Sequence, residues 1–221
     1  MFRKIIKKVQ EITIKPLVMW YLQKERHFTF EGLKMTVMPG VFHPLLFHSS
    51  LILAKYLKKL PLKGKTFLEP GSGSGFISVL AAKYGAHVTA LDLNPLAVKN
   101  TLLNAEKNRV AVQALQSNLF SKIHKKEFDY IFINPPYYPG KAINDSQLAW
   151  YCGENFEYFK DLFQQLPDFY NSSSQVIMIL SEDCDLKAIQ QIAASFNQTF
   201  ELIKTQTVFL EKNYLFRIIK K

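Results

Sequence analysis

The Asn134-Pro135-Pro136-Tyr137 run is the most specific local pattern in this sequence. The Asn134 side chain offers a carbonyl oxygen, and the two prolines fix the backbone and remove two N–H donors, so the turn presents carbonyl oxygens. The Asn134 side-chain oxygen and the Pro135 backbone oxygen can therefore accept both hydrogens of a flat NH₂ group, while Tyr137 stacks on that group. The pattern predicts a site for a planar nitrogen; the alternative is a Pro-rich turn that only ends a strand.

A glycine-rich turn, Glu69-Pro70-Gly71-Ser72-Gly73-Ser74-Gly75, lies between a predicted strand and a predicted helix. Gly71, Gly73 and Gly75 allow the backbone to turn tightly and to approach a ligand closely. The helix N-terminus adds free N–H groups that suit a carboxylate. The dinucleotide fingerprint requires a further glycine where Phe76 stands, and the Gly-Lys-Ser or Gly-Lys-Thr of a P-loop is absent. The spacing favours a ligand without a pyrophosphate.

Asp92 ends the next predicted strand, about twenty residues beyond the glycine turn, where an acid can accept hydrogen bonds from both hydroxyls of a ribose. The alternative role for Asp92, capping the following helix, fits Asn94 better. Asn118 follows the third strand and could bond an adenine edge. Leu93 and Phe120 could pack on the adenine faces, although both could equally be core residues.

These residues must be positioned by strands and helices that alternate from Lys65 onwards, which predicts an α/β fold with a mostly parallel sheet and helices on both faces. Two final strands, 200–209 and 214–219, predict an antiparallel C-terminal edge. Before the alternating strands and helices, a short helix and a β-hairpin around Glu31-Gly32 form an N-terminal extension. We expect an N-terminal helix and hairpin extension over residues 1–43 and the main domain over 44–221.

The composition is globular, with a net charge of +10 that arises from 28 Lys and Arg against 18 Asp and Glu. This charge is compatible with a nucleic-acid partner, and equally with lysines that only maintain solubility. Cys152 and Cys184 form no Cys-x-x-Cys pair, and His43 and His48 have no third ligand spaced to join them, so neither a disulfide framework nor a metal is expected. No apolar run could cross a bilayer, and we expect a cytoplasmic protein.

The chain resembles the class I S-adenosylmethionine methyltransferases, in particular the group with an Asn-Pro-Pro-Tyr active-site turn. That group includes the release-factor glutamine methyltransferases of the HemK group and several rRNA and tRNA base amino methyltransferases. The resemblance implies a Rossmann-like domain with a seven-stranded sheet and S-adenosylmethionine as the cofactor. It also implies two sets of site residues. The cofactor set is Glu69, Gly71, Gly73, Gly75, Asp92, Leu93, Asn118, Leu119 and Phe120, and the catalytic set is Asn134, Pro135, Pro136 and Tyr137.

The resemblance points in two directions on the methyl acceptor. Residues 37–42 are similar to the segment before the sheet in the RNA amino methyltransferases, whereas 149–155 and 166–168 are more similar to the glutamine group. We expect N-methylation of a protein glutamine in the translation machinery, by a monomer or with a small partner subunit. The alternatives are an exocyclic amine of an rRNA or tRNA base and, more distantly, a non-catalytic module that binds the cofactor or nucleic acid.

Overall fold

The computed structural model describes residues 23–45, 48–208 and 211–221. The short N-terminal helix expected before residue 24 therefore lies outside the described residues, except for its last positions. Nine strands and five α-helices are described, and two short 3₁₀ turns accompany them at Asp145–Gln147 and Leu166–Phe169.

A seven-stranded sheet forms the centre of the described structure, in the spatial order β5-β4-β3-β6-β7-β9-β8. The first five of these strands are parallel, and β9 runs antiparallel to both β7 and β8. The mostly parallel sheet with an antiparallel C-terminal edge is thus confirmed. The strands are β3 (Thr66–Pro70), β4 (His87–Asp92), β5 (Val112–Gln116), β6 (Tyr130–Ile133), β7 (Gln175–Ser181), β8 (Gln198–Val208) and β9 (Glu211–Lys220).

Five helices surround this sheet: α1 (His48–Leu57), α2 (Phe76–Lys83), α3 (Pro95–Lys107), α4 (Glu157–Gln165) and α5 (Leu186–Ser195). One helix was expected over 156–169. The α-helix ends at Gln165 instead, because Pro167 cannot donate the next backbone hydrogen bond, and a 3₁₀ turn follows. The last strand begins at Glu211, three residues before its expected start, because Glu211 already pairs with Val208 of β8.

The expected β-hairpin is present as β1 (Arg26–Phe30) and β2 (Leu33–Val37). Its turn places Glu31 and Gly32 at φ values of 51° and 76°. Two successive positive φ values are the geometry that matches the twist of a two-residue hairpin. Leu33 and Met35 lie in the same apolar cluster as α1, α2 and one face of the sheet. The division at residue 44 stays a prediction, although the hairpin shares its core with the following domain.

Two asparagines of α3, and Asn108 at its C-cap position, attach the hairpin to the domain. Asn100, Asn104 and Asn108 are four residues apart, so they lie on one face of the helix. The spacing of this row, about 6 Å, matches two residues of an extended strand. Each amide therefore bonds the backbone edge of β2 or the residue that follows it. Asn108 bonds Lys34 N and O, Asn104 bonds Thr36 N and O, and Asn100 bonds Met38 N and Thr36 O. We call these three residues the asparagine ladder.

Apolar cores fill both faces of the sheet. Phe67 and Phe132 pack on the α1 and α2 side, and Ile131 and Met178 on the α4 and α5 side. Strand β6 is buried on both faces, as expected for a central parallel strand. None of the described helices is long and apolar enough to cross a membrane.

Candidate active site

A cleft of about 390 Å³ opens at the carboxyl ends of β3, β4 and β6. This is where ligands bind in open parallel sheets, because the neighbouring loops diverge from one edge. The cleft brings together most of the residues that the sequence singled out: Glu69, Gly71, Gly73, Asp92, Leu93, Asn118, Leu119, Asn134, Pro135, Pro136 and Tyr137. Gly75 and Phe120 are outside its lining.

The three glycines of the turn have positive φ values of 77°, 55° and 75°, but for different reasons. A side-chain carbon built on Gly71 would meet nothing within 4 Å and would project into open space beside the cleft. One built on Gly75 would lie 2.7 Å from the Thr101 hydroxyl and 2.8 Å from its backbone. Gly71 therefore leaves room for a ligand, whereas Gly75 allows α2 to pack closely on α3.

Asp92 is held at the end of β4 by the glycine turn. Its Oδ2 accepts a hydrogen bond from Gly73 N at 2.8 Å, and its Oδ1 accepts one from Asn94 N at 2.9 Å. Each carboxylate oxygen can accept more than one bond, so both keep capacity for ligand hydroxyls. Burial raises the pKa of Asp92, and these backbone donors partly oppose the effect. Asn94 caps α3 by accepting from Leu96 N, which leaves Asp92 free of that role.

Glu69 lies below the turn and is 5% exposed. The Ser78 hydroxyl donates to its Oε2 at 2.5 Å. Desolvation raises the pKa of Glu69 to about 8, because hydrogen bonds from the hydroxyl and the backbone N–H of Ser78 do not replace the lost water. This carboxyl is therefore largely protonated at neutral pH in the free protein.

The Asn134-Pro135-Pro136-Tyr137 turn, which we call the acceptor turn, lies across the cleft from the glycine turn. Asn134 is half-buried, and its Nδ2 donates to the Ser50 hydroxyl of α1 at 3.4 Å. Pro135 is buried, and the rings of Tyr137 and Tyr138 lie 4.8 Å apart at 52°. Burial holds the pKa of Tyr137 well above its usual range, so its hydroxyl stays neutral. The turn thus combines the polar Asn134 side chain with the aromatic ring of Tyr137, which are the two features predicted for a planar-nitrogen site.

The expected adenine contacts divide into two groups. Leu93 is 44% exposed and, like Asn118 and Leu119, lines the cleft. Phe120 points the other way: it is 2% exposed and stacks on Phe169 with ring centroids 4.6 Å apart. The expectation that Phe120 packs on an adenine face does not fit this placement. Leu119 has a positive φ of 46°, and this backbone turn directs Phe120 into the core.

The chain belongs to the methyltransferase small domain family. The family model matches residues 32–208. A provisionally named protein N5-glutamine methyltransferase from Methanocaldococcus jannaschii is 34% identical over 159 residues, which cover 68% of this chain and 77% of that protein. Relatives with partial coverage include ribosomal protein L11 methyltransferases and the ribosomal RNA small subunit methyltransferase C, of which the chain spans 38–45%.

Solved structures share the fold. The Thermus thermophilus 16S rRNA N2 G1207 methyltransferase, in complex with AdoMet and guanosine, has a TM-score of 0.62 and 20% identity over 87% of this chain and 50% of that one. The Encephalitozoon cuniculi Mtq2–Trm112 complex has a TM-score of 0.63 and 17% identity over 82% of this chain and 99% of that one. The protein is an S-adenosylmethionine-dependent N-methyltransferase.

The lining of the methyltransferase cleft is acidic. Among the described residues it contains five carboxyl groups and neither Lys, Arg nor His. They belong to Asp92, Asp145, Glu157, Asp161 and Glu69, of which Glu69 is largely protonated at neutral pH. A cofactor with a sulfonium and an ammonium group fits such a lining, because both positive charges are favoured there. The half-buried Asp92 and the free space beside Gly71 fit the ribose and the chain of that cofactor.

Phe42 and Trp150 form an aromatic pair in the lining of the cleft, with Phe42 next to the glycine turn. Phe42 lies with its Cβ near the Gly73 backbone, and its ring centroid is 5.5 Å from that of Trp150. Trp150 was not singled out from the sequence, because a lone tryptophan in a polar stretch gives no signal of its position. The sequence predicts a mobile substrate loop at 139–148, because Gly140, Asn144 and Asp145 break any regular pattern. Backbone hydrogen bonds hold the base of this loop. Tyr138 N bonds Trp150 O, Cys152 N bonds Tyr138 O, and Gly140 N bonds Gly153 O.

Cys152 and His43 are residue types that can act as a nucleophile or bind a metal, and both are buried. Burial raises the pKa of the Cys152 thiol to about 11, so it lines the cleft as a neutral group. His43 is buried, and desolvation lowers its pKa. Within the described residues, no group of three or more His, Cys, Asp or Glu side chains is arranged to hold a metal ion.

Proposed function

We propose that this enzyme methylates the side-chain amide nitrogen of a glutamine in a protein of the translation machinery. The observation that carries this proposal is the acidic cleft. An RNA acceptor brings phosphates to the active site, and proteins that bind RNA meet those phosphates with Lys and Arg. The carboxylates of the lining other than Glu69, with no cation among the described lining residues, would repel that backbone.

The location of the positively charged residues also supports a protein acceptor over an RNA acceptor. The last turns of helices α1, α2 and α3 contain Lys55, Lys83 and Lys107. Helix C-termini favour cations, and in this fold they face away from the carboxyl ends of the strands. Part of the net charge of +10 therefore lies opposite the cleft, and a protein segment with neutral or basic residues suits the cleft itself.

The chain's own residues position the acceptor. S-adenosylmethionine, when bound, supplies a methyl group on a positively charged sulfur. The Asn134 side-chain oxygen and the Pro135 backbone oxygen accept the two N–H groups of the amide, and Tyr137 stacks on its plane. These bonds orient the nitrogen lone pair, and the nitrogen gives up one proton to water during the transfer. Because the methyl donor is already activated, orientation provides most of the rate.

The relative from Methanocaldococcus jannaschii supports the glutamine acceptor, since its name refers to N5-glutamine and the chain spans 77% of it. The Mtq2–Trm112 complex is responsible for methylation of a translation termination factor. We therefore extend the proposal to a release factor as acceptor, to a small partner subunit and to the cytoplasm as the site of action.

The test is transfer of a radiolabelled methyl group in extract from cells that lack the enzyme. Separate protease and nuclease digestions of the labelled extract are compared, and the labelled peptide is sequenced by mass spectrometry. We expect protease-sensitive label on one glutamine of a translation factor. Nuclease-sensitive label on an RNA base would assign the RNA amine as acceptor and contradict the proposal.

A further inference from the structure

Within the described residues, Tyr158 carries a buried hydroxyl that has no hydrogen-bond partner. Tyr158 lies in the first turn of α4 and lines the cleft together with Asp92, Asn118 and Leu119. A buried polar group without a partner costs about 1–3 kcal/mol of stability. Such a group in the wall of a binding cleft indicates that a ligand supplies the missing partner.

The contacts of Tyr158 place its hydroxyl on the side of the cleft expected for the adenosine of the cofactor. Its backbone N–H donates to Cys152 O at 3.0 Å, and its side chain packs against the apolar cluster that contains Leu119. Burial raises the pKa of Tyr158 well above its usual range, and the nearby Asp92 and Cys152 raise it further. The hydroxyl therefore keeps its proton at neutral pH and lies in the electric field of Asp92.

The chemistry of adenosine indicates which atom this hydroxyl can bind. The ribose hydroxyls are donors that suit the Asp92 carboxylate, whereas the adenine carries an amino donor and ring nitrogens that accept. Asn118 is expected to bond the adenine edge. A phenol hydroxyl donates better than it accepts, because its lone pairs are delocalised into the ring. A ring nitrogen of the adenine is therefore the complementary atom.

We propose that Tyr158 binds the cofactor by donating a hydrogen bond from its hydroxyl to a ring nitrogen of the adenine. The proposal rests on S-adenosylmethionine as the cofactor and is independent of the methyl acceptor. The sequence gives no sign of this role, because an aromatic residue in the first turn of an amphipathic helix is usually a core residue.

The first test measures the calorimetric dissociation constant of Tyr158→Phe for S-adenosylhomocysteine, the demethylated form of the cofactor. We expect binding about fivefold weaker than in the wild type, which is the effect of one neutral hydrogen bond. Without ligand, the free energy of unfolding should stay at or above the wild-type value, because the hydroxyl has no protein partner to lose. Equal affinities, or a destabilised ligand-free variant, would overturn the proposal.

Tyr170→Phe is the matched control for this test. The Tyr170 hydroxyl is also buried without a hydrogen bond among the described residues, but Tyr170 lies outside the cleft lining. We expect this variant to bind S-adenosylhomocysteine with wild-type affinity and to be at least as stable as the wild type. A loss of affinity as large as in Tyr158→Phe would show that the effect does not arise in the cleft and would contradict the proposal.

The second test identifies the bonded atom with analogues of S-adenosylhomocysteine in which carbon replaces the adenine nitrogen at position 1, 3 or 7. For one of these analogues, the wild type and Tyr158→Phe should bind with the same affinity, because the analogue lacks the atom that accepts the hydrogen bond. For the other two analogues, the difference of about fivefold should remain. A difference that remains with all three analogues would assign the hydroxyl to another part of the cofactor and reject the proposal.

Discussion

At the scale of the residue, Glu69 links the cofactor turn to the pH dependence of stability. Its pKa is about 8 in the folded protein and near 4.5 in the unfolded chain. The folded state therefore binds more protons between these values, so the free energy of unfolding falls as pH rises through that window. This contribution is fully present below the unfolded pKa and is lost as pH rises through the folded pKa.

We expect Glu69→Gln to reduce the fall in the free energy of unfolding between about pH 5 and pH 8, because glutamine does not titrate. Urea denaturation at several pH values measures this slope. Glu106→Gln, on the exposed side of α3, is the control and should leave the slope as in the wild type. Identical slopes for Glu69→Gln and the wild type would show that Glu69 does not titrate in this range.

The sequence predicted which residues line the cleft well where backbone chemistry sets their position, and less well where packing does. The acceptor turn, the glycine turn and Asp92 stand out because Pro, Gly and a strand-end acid have few other reasons to occur in that order. Phe120 and Gly75 follow the motif spacing equally well, yet one lies in the core and the other serves the contact of two helices. That difference depends on side-chain directions that spacing does not determine.

At the scale of the element, the asparagine ladder connects the hairpin, α3 and the cofactor turn. Asn104 is fully buried, and its Nδ2 donates to Thr36 O at 2.7 Å and to Ser74 O at 2.8 Å. Its Oδ1 accepts from Thr36 N at 2.8 Å. One side chain thus satisfies backbone groups of the hairpin and of the glycine turn.

Asn104→Ala should lower the free energy of unfolding by about 2–3 kcal/mol, because buried backbone groups would lose their partners. Asn108→Ala is the matched control on the same helix face. Its bonds to Lys34 are solvent-exposed, so water can replace them, and a loss of less than about 1 kcal/mol is expected. Chemical denaturation measures the free energy of unfolding of both variants. Equal losses in the two variants would mean that the stability contributed by a ladder asparagine does not depend on its burial.

The elements themselves could largely be predicted from the sequence, since period-two and helical patterns specify them. The hairpin, the parallel strands and the antiparallel end appear where they were expected. The ladder could not be predicted in the same way: a repeat of Asn at every fourth position from Asn100 to Asn108 is visible, but its partner edge is 62–74 residues away in sequence. Long-range pairing of side chains with a strand edge leaves no local pattern.

At the scale of the whole molecule, charge is distributed unevenly between the cleft and the rest of the protein. From the sequence alone, the net charge of +10 is compatible with a nucleic-acid partner and equally with lysines that only maintain solubility. The described cleft lining carries the opposite sign. A total charge cannot reveal this, because the fold decides which charges surround the site and which lie on helix ends.

Removing acidic side chains from the cleft lining should change KM in opposite directions for a protein acceptor and for an RNA acceptor. For a protein acceptor with basic residues, we expect Asp145→Asn combined with Asp161→Asn to raise its KM several-fold at low salt and less at high salt. For an RNA acceptor the same double variant would lower KM. Glu106→Gln, outside the cleft lining, should change neither value, and a lowered KM in the double variant would contradict the protein acceptor.

The central claim is that the carbonyl oxygens of Asn134 and Pro135 hold the methyl acceptor in the cleft where the glycine turn and Asp92 bind the cofactor. Asn134→Ala tests it most directly, by methyl-transfer rate together with the calorimetric dissociation constant for S-adenosylmethionine. We expect kcat/KM for the acceptor to fall at least about a hundredfold while cofactor affinity stays within twofold. Equal losses of rate and affinity, or an unchanged rate, would contradict the account.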